Sequence, residues 1–130
     1  MGYIHWLNIA LVVVIGFIVF IIFQARREVK KHLVWLESDE FSDGMRKGQL
    51  IDVRKKIEFE AGYINGSRNM PLSMLSKTLG KLRTDQPIYL VCKDGKGAKR
   101  ATVLLASKGF KKIHALKGGI SNWMKPLKSK

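Results

Sequence analysis

From Tyr3 to Phe23 the chain carries no charged side chain, and from Ile9 to Phe23 every residue is apolar or glycine. A helix rises about 1.5 Å per residue, so this stretch is about long enough to cross the hydrocarbon core of a bilayer. It has no polar face to offer water, which argues against a helix on the surface of a soluble domain. His5 and Asn8, its distinctly polar residues, lie near one end, and Tyr3 and Trp6 suit the level of the lipid headgroups. The chain is therefore expected to divide into a membrane-spanning helix over 3–23 and one soluble domain of roughly 100 residues.

A cleaved signal peptide is the competing reading of the same segment. Such a peptide carries lysine or arginine ahead of its apolar stretch and small residues at a cleavage site behind it. Here no lysine or arginine precedes Ile9, and the apolar run leads into Gln24-Ala25-Arg26-Arg27 and then Lys30-Lys31. Positive residues directly C-terminal to a span favour a cytoplasmic position for the chain beyond it. The expectation is a single-pass protein of the cell membrane, N-terminus outside, with 24–32 a basic juxtamembrane linker, 33–124 the domain and 125–130 a short, mobile basic tail.

All charged residues fall beyond the span, so the net charge of +14 belongs to the rest of the chain. The simplest use of that excess is attraction to an anionic inner leaflet, strongest for Arg26, Arg27, Lys30 and Lys31. Nucleic-acid binding is the other use of such a charge, but the sequence holds no zinc spacing, aromatic platform or recognition-helix signature. No His/Cys/Asp spacing suggests a metal site, and nothing calls for a cofactor. The oligomeric state is not legible.

Beyond the linker, short apolar runs alternate with helical segments. Strands are predicted at His32–Leu36, Leu50–Arg54, Ile88–Val91 and Lys112–Leu116, with helices over Asp39–Lys47 after an N-cap at Ser38, Ser73–Leu79 and Ala98–Ser107. Lys55–Ala61 reads as a helical turn, Gly109 as a helix end, and Gly118-Gly119 as a turn into a short helix carrying Trp123. Strands separated by helices imply an α/β fold with a mainly parallel central sheet flanked by helices, and such sheets bind ligands at the carboxyl ends of their strands.

The one cysteine, Cys92, stands at such an end, directly after Ile88-Tyr89-Leu90-Val91 and ahead of Lys93-Asp94-Gly95-Lys96-Gly97. With a single cysteine, a disulfide scaffold is excluded. An unpaired cysteine is often just a small buried hydrophobe. At a strand end above a helix N-terminus, however, unpaired N–H groups and a partial positive charge favour the thiolate. Gly95 and Gly97 are expected to let the loop curl, with Lys93 and Lys96 adding positive charge. Asp52, Arg54 and Glu58 have the spacing of an internal charge network, Trp123 that of a core lid, and His114 reads as a packed or surface histidine.

The order of motifs resembles rhodanese-like domains. Leu50-Ile51-Asp52-Val53-Arg54, Glu58-Phe59, and Gly62-Tyr63-Ile64-Asn65-Gly66-Ser67 with Asn69 and Pro71 resemble the opening signature of that family. Val91 to Ala98 is similar to its active-site loop, and Leu116-Lys117-Gly118-Gly119-Ile120 with Trp123 to its closing motif. The resemblance spans about Leu33 to Met124. It implies a sulfurtransferase in which Cys92 takes sulfane sulfur from thiosulfate or a persulfide and passes it to a thiol or cyanide. The donor would be bound by Lys93, Asp94, Gly95, Lys96, Gly97 and Ala98.

The loop departs from the pattern at one place. Many small members carry arginine and serine where this chain has Gly97 and Ala98, so a guanidinium fork and a hydroxyl for sulfonate oxygens are missing. A persulfide is then the better-suited donor, and a catalytically weak binding module recruiting a partner to the membrane is the alternative function. A related phosphatase would need arginine six residues after the cysteine, where Ala98 stands and Arg100 comes two residues late.

Overall fold

In the computed structural model, which describes residues 2–130, the first element is one long helix, α1, over Gly2–His32. None of its residues is buried, and its mean hydropathy reaches 2.9 over an 18-residue window, so it is long and apolar enough to cross a membrane. The helix does not stop at Phe23. Residues 24–32, expected to be a linker, continue it, because Gln, Ala, Arg, Glu and Lys are all good helix formers. Val29 packs against the core, and His32 Nδ1 lies 3.1 Å from the carbonyl oxygen of Lys111. The last turns of α1 are thus seated on the domain.

There follow β1 (Leu33–Leu36), α2 (Ser38–Met45), β2 (Gln49–Asp52), α3 (Lys56–Ala61) and β3 (Arg68–Asn69). After these come α4 (Leu75–Thr78) between two 3-10 turns, β4 (Ile88–Val91), α5 (Gly95–Ser107) and β5 (Ile113–Leu116). The five strands form one all-parallel sheet in the order β1-β5-β4-β2-β3. Every residue of the central strand β4 is buried, and strand alternation splits them between two faces. Ile88 and Leu90 join the core beneath α4 and α5 with Ile51, Leu75, Leu105 and Ile113. Tyr89 and Val91 join a second core with Phe41 of α2, Ile64 and Leu116.

Several boundaries differ from those read in the sequence. Ser38 is the first residue of α2 rather than its cap, and its hydroxyl accepts from the Met124 backbone N–H at 3.1 Å. Gly44 lies inside α2. It lets Tyr89 lie against the helix, since a Cβ there would meet the ring at 3.0 Å or less. β3 has only two residues, too few to show a period. The tail is also held: Tyr63 and Lys128 form an antiparallel bridge, and the Lys130 backbone N–H donates to the Glu60 carbonyl at 2.9 Å.

Candidate active site

Because the sheet is parallel, β2 and β4 end on the same edge, and their register pairs Asp52 with Val91. Cys92 comes next in the chain, on the same face as Ile88 and Leu90, and is 1% exposed within the α5-side core. It lies directly below the start of α5.

That helix begins three residues earlier than the sequence suggests, and Asp94 is the reason. Its carboxylate caps the first turn, accepting from the backbone N–H groups of Lys96 at 3.1 Å and Gly97 at 3.2 Å. An aspartate cap satisfies donors that otherwise have no partner in the helix. Gly95, Lys96 and Gly97 are accordingly helical, and neither glycine has a positive φ. The curled glycine loop is corrected to a capped helical turn. The freedom of Gly97 serves close approach instead: a Cβ there would sit 3.5 Å from that of Cys92.

The positive-φ glycines at this edge are Gly118 (φ 77°) and Gly119 (φ 81°). A Cβ on Gly119 would fall within 3.0 Å of the carbonyl oxygens of both Cys92 and Lys93. This close approach lets the Ile120 N–H donate to the Cys92 carbonyl at 2.8 Å. The turn therefore fixes the backbone of the cysteine from behind. The sequence places Gly118 and Gly119 in a turn but does not tie them to Cys92.

The expected bias toward thiolate is also corrected. Burial pushes the Cys92 thiol up to about 11; the Ala98 backbone N–H works in the opposite direction. The negative charges of Asp94 and Asp52 reinforce the rise, and Arg54 opposes it. Desolvation thus outweighs the helix-end effect at this position. The remaining candidate, Lys93, is exposed and approaches Glu58 at 3.9 Å. Among the described residues Glu58 makes no bond to Asp52 or Arg54, so it stands outside the internal network expected for it.

Asp52 and Arg54 do form such a network. Arg54 Nε donates to both carboxylate oxygens at 3.0 Å, and its Nη2 donates to Asp52 Oδ2 at 2.7 Å and to the Gly62 carbonyl at 2.6 Å. Asn69 Nδ2 closes the bend by donating to the carbonyls of Asp52 and Arg54 at 3.1 and 3.0 Å. On the other face Trp123 packs edge-on against Phe41, with ring centroids 6.2 Å apart, and His114 stacks on Tyr89 at 4.7 Å. Both are packing residues away from the thiol.

A rhodanese-like domain model matches residues 37–126, which is most of the chain. The chain belongs to the rhodanese-like family. It is 41% identical over 122 residues to the uncharacterized protein YqhL of Bacillus subtilis, covering 92% of this chain and 97% of that one. It is 32% identical over 75 residues to the thiosulfate sulfurtransferase GlpE of Shewanella oneidensis, covering 58% and 74%. Among solved structures, a rhodanese-related protein from Thermoplasma volcanium superposes with a TM-score of 0.67 at 24% identity, over 76% of this chain and 99% of that one. The α/β fold and family expected from the motifs are borne out, and rhodanese-like relatives include sulfurtransferases.

The pH response of the thiol is set by its surroundings. Below a pKa of about 11 the thiolate fraction grows about tenfold per pH unit, so iodoacetamide should label Cys92 faster with each unit from pH 7 to 10. Asp94→Ser keeps a capping oxygen and removes a negative charge that raises the pKa. Labelling of this variant should be faster at every pH below the plateau. Equal rates in variant and parent would show that Asp94 has no electrostatic hold on the thiol.

Proposed function

We propose that the chain is a membrane-anchored sulfurtransferase with its rhodanese-like domain on the cytoplasmic side. The observation that carries the reading is Cys92 at the end of β4, directly under the first turn of α5, where Gly97 leaves room for its side chain. In the reaction, the Cys92 thiolate attacks the sulfane sulfur of the donor. With thiosulfate, the sulfur–sulfur bond breaks and its electron pair leaves as sulfite, while Cys92 becomes an anionic persulfide. A thiolate or cyanide then takes the terminal sulfur and returns Cys92 to thiolate. Backbone N–H groups at a helix start favour both anions.

The preference for donor comes from the side chains the loop lacks. Asp94 already occupies two N–H groups and adds negative charge, and Gly97 and Ala98 offer no side chain to a sulfonate. A persulfide group carries one negative charge where thiosulfate carries two and has no sulfonate to bind, so it suits this site better. The same features favour a second reading, a binding module whose covered cysteine is no longer used. Incubating the full chain in detergent with glutathione persulfide or thiosulfate separates the two. The sulfurtransferase reading expects a mass gain of one sulfur, reversed by cyanide and absent in Cys92→Ser, with the persulfide as the faster donor. No Cys92-dependent gain with either donor would leave the binding module.

A further inference from the structure

A groove of about 990 Å³ runs between the last turns of α1 and the outer face of α5. Its charged lining is all of one sign: Arg26 and Lys30 from α1, and Lys96, Lys99 and Arg100 from α5, with no carboxylate. None of the five takes part in a salt bridge among the described residues. The arrangement is electrostatically unfavourable on two counts. Arg26 and Lys30, like Lys96 and Arg100, are like charges at i,i+4, and the α5 cations sit toward the positive end of their helix. An anion between the two helices would offset both.

The apolar lining says what kind of anion. Ile22 lies one turn before Arg26, at the end of the apolar run, and Val29, Trp35 and Val103 continue the apolar floor between the cations. If 3–23 spans the bilayer, the groove opens at the headgroup level, with Ile22 toward the acyl chains and Trp35 at the interface. We infer that the groove between α1 and α5 holds the headgroup of an anionic phospholipid, which sets the domain against the bilayer. This rests on the membrane-span part of the proposed function. Because α5 also carries the Asp94 cap and the Ala98 N–H at the thiol, the bound lipid fixes the helix that holds the active site.

The test uses the full chain in phosphatidylcholine nanodiscs containing phosphatidylglycerol, with retained lipid counted by native mass spectrometry. Phosphatidylglycerol should be retained in preference to phosphatidylcholine. Lys30→Gln/Arg100→Gln should cut that preference by roughly thirtyfold, about fivefold per cation at an anionic surface. Lys77→Gln/Lys81→Gln, which removes the same charge from exposed positions outside the groove, should leave it unchanged. Equal retention of the two lipids, or equal loss in both double variants, would overturn the inference. So would a Lys30- and Arg100-dependent affinity for polyglutamate without one for phosphatidylglycerol, which would point to an acidic protein partner. Release of the unmodified chain from membranes by carbonate would instead overturn the span itself, a result distinct from loss of lipid selectivity.

Discussion

Arg54→Met should destabilise the domain by about 3–5 kcal/mol, the usual cost of breaking a buried ion pair from one side. Asp52 is fully buried, and the Arg54 guanidinium is its ionic partner. Removing the guanidinium strands a carboxylate in the core and leaves the Gly62 carbonyl without the donor it has at 2.6 Å. For a domain whose total stability is of order 5–15 kcal/mol, that loss is a large fraction. At about 4–8 °C per kcal/mol for a domain of this size, the melting temperature should fall by at least 12 °C or so. The detergent-solubilised chain gives the readout through near-ultraviolet circular dichroism, because α1 holds about half of the α-helical residues and would keep its far-ultraviolet signal when the domain unfolds. A double variant, Asp52→Leu/Arg54→Met, should lose less than the two single changes together, since no charge is then left stranded. A fall of under 2 °C for Arg54→Met would mean that the pair is not needed for the fold.

The same ion pair shows which parts of the site could be read from the residues. The spacing of Asp52 and Arg54 at a strand end was enough to mark a network, and the unbroken apolar run before Cys92 was enough to place the thiol at the edge of a parallel sheet. Both rest on local patterns, the kind of signal a sequence states directly. The Asp94 cap was also legible in principle, because aspartate shortly before an apolar-periodic segment is a favoured N-cap residue. The glycines on either side of Lys96 masked it, as they suggest a loop rather than a helix. The burial of Cys92 was not legible. It depends on α5 beginning at Gly95 and on the turn around Gly119 meeting the cysteine from more than twenty residues away in sequence, and desolvation then decides the sign of the thiol's pKa shift. The continuation of α1 through its basic turns was obscured for another reason. Charge marked where the apolar run stops, which is a statement about solvent and not about where the helix ends.

Gly119→Ala should combine loss of stability with loss of sulfur loading, and two other glycines show why. Gly66 and Gly109 also have positive φ, 89° and 94°, but a Cβ at either would meet nothing within 4 Å. Alanine there costs only the backbone strain, about 1–3 kcal/mol. At Gly119, φ 81° and ψ −166° fall in a region that is essentially confined to glycine, and the Cβ also strikes the carbonyl groups of Cys92 and Lys93. Those are backbone atoms that cannot rotate aside, so overpacking adds roughly another 1–3 kcal/mol. The relief available is to push the Cys92–Lys93 backbone away, which breaks the 2.8 Å bond from the Ile120 N–H and moves the thiol relative to the first turn of α5. Gly119→Ala should therefore melt well below both Gly66→Ala and Gly109→Ala. At a temperature where all three are folded, it alone should fail to gain sulfur from glutathione persulfide. If all three variants lose the same stability and load sulfur equally, the turn acts only as a chain reversal and does not hold the cysteine in place.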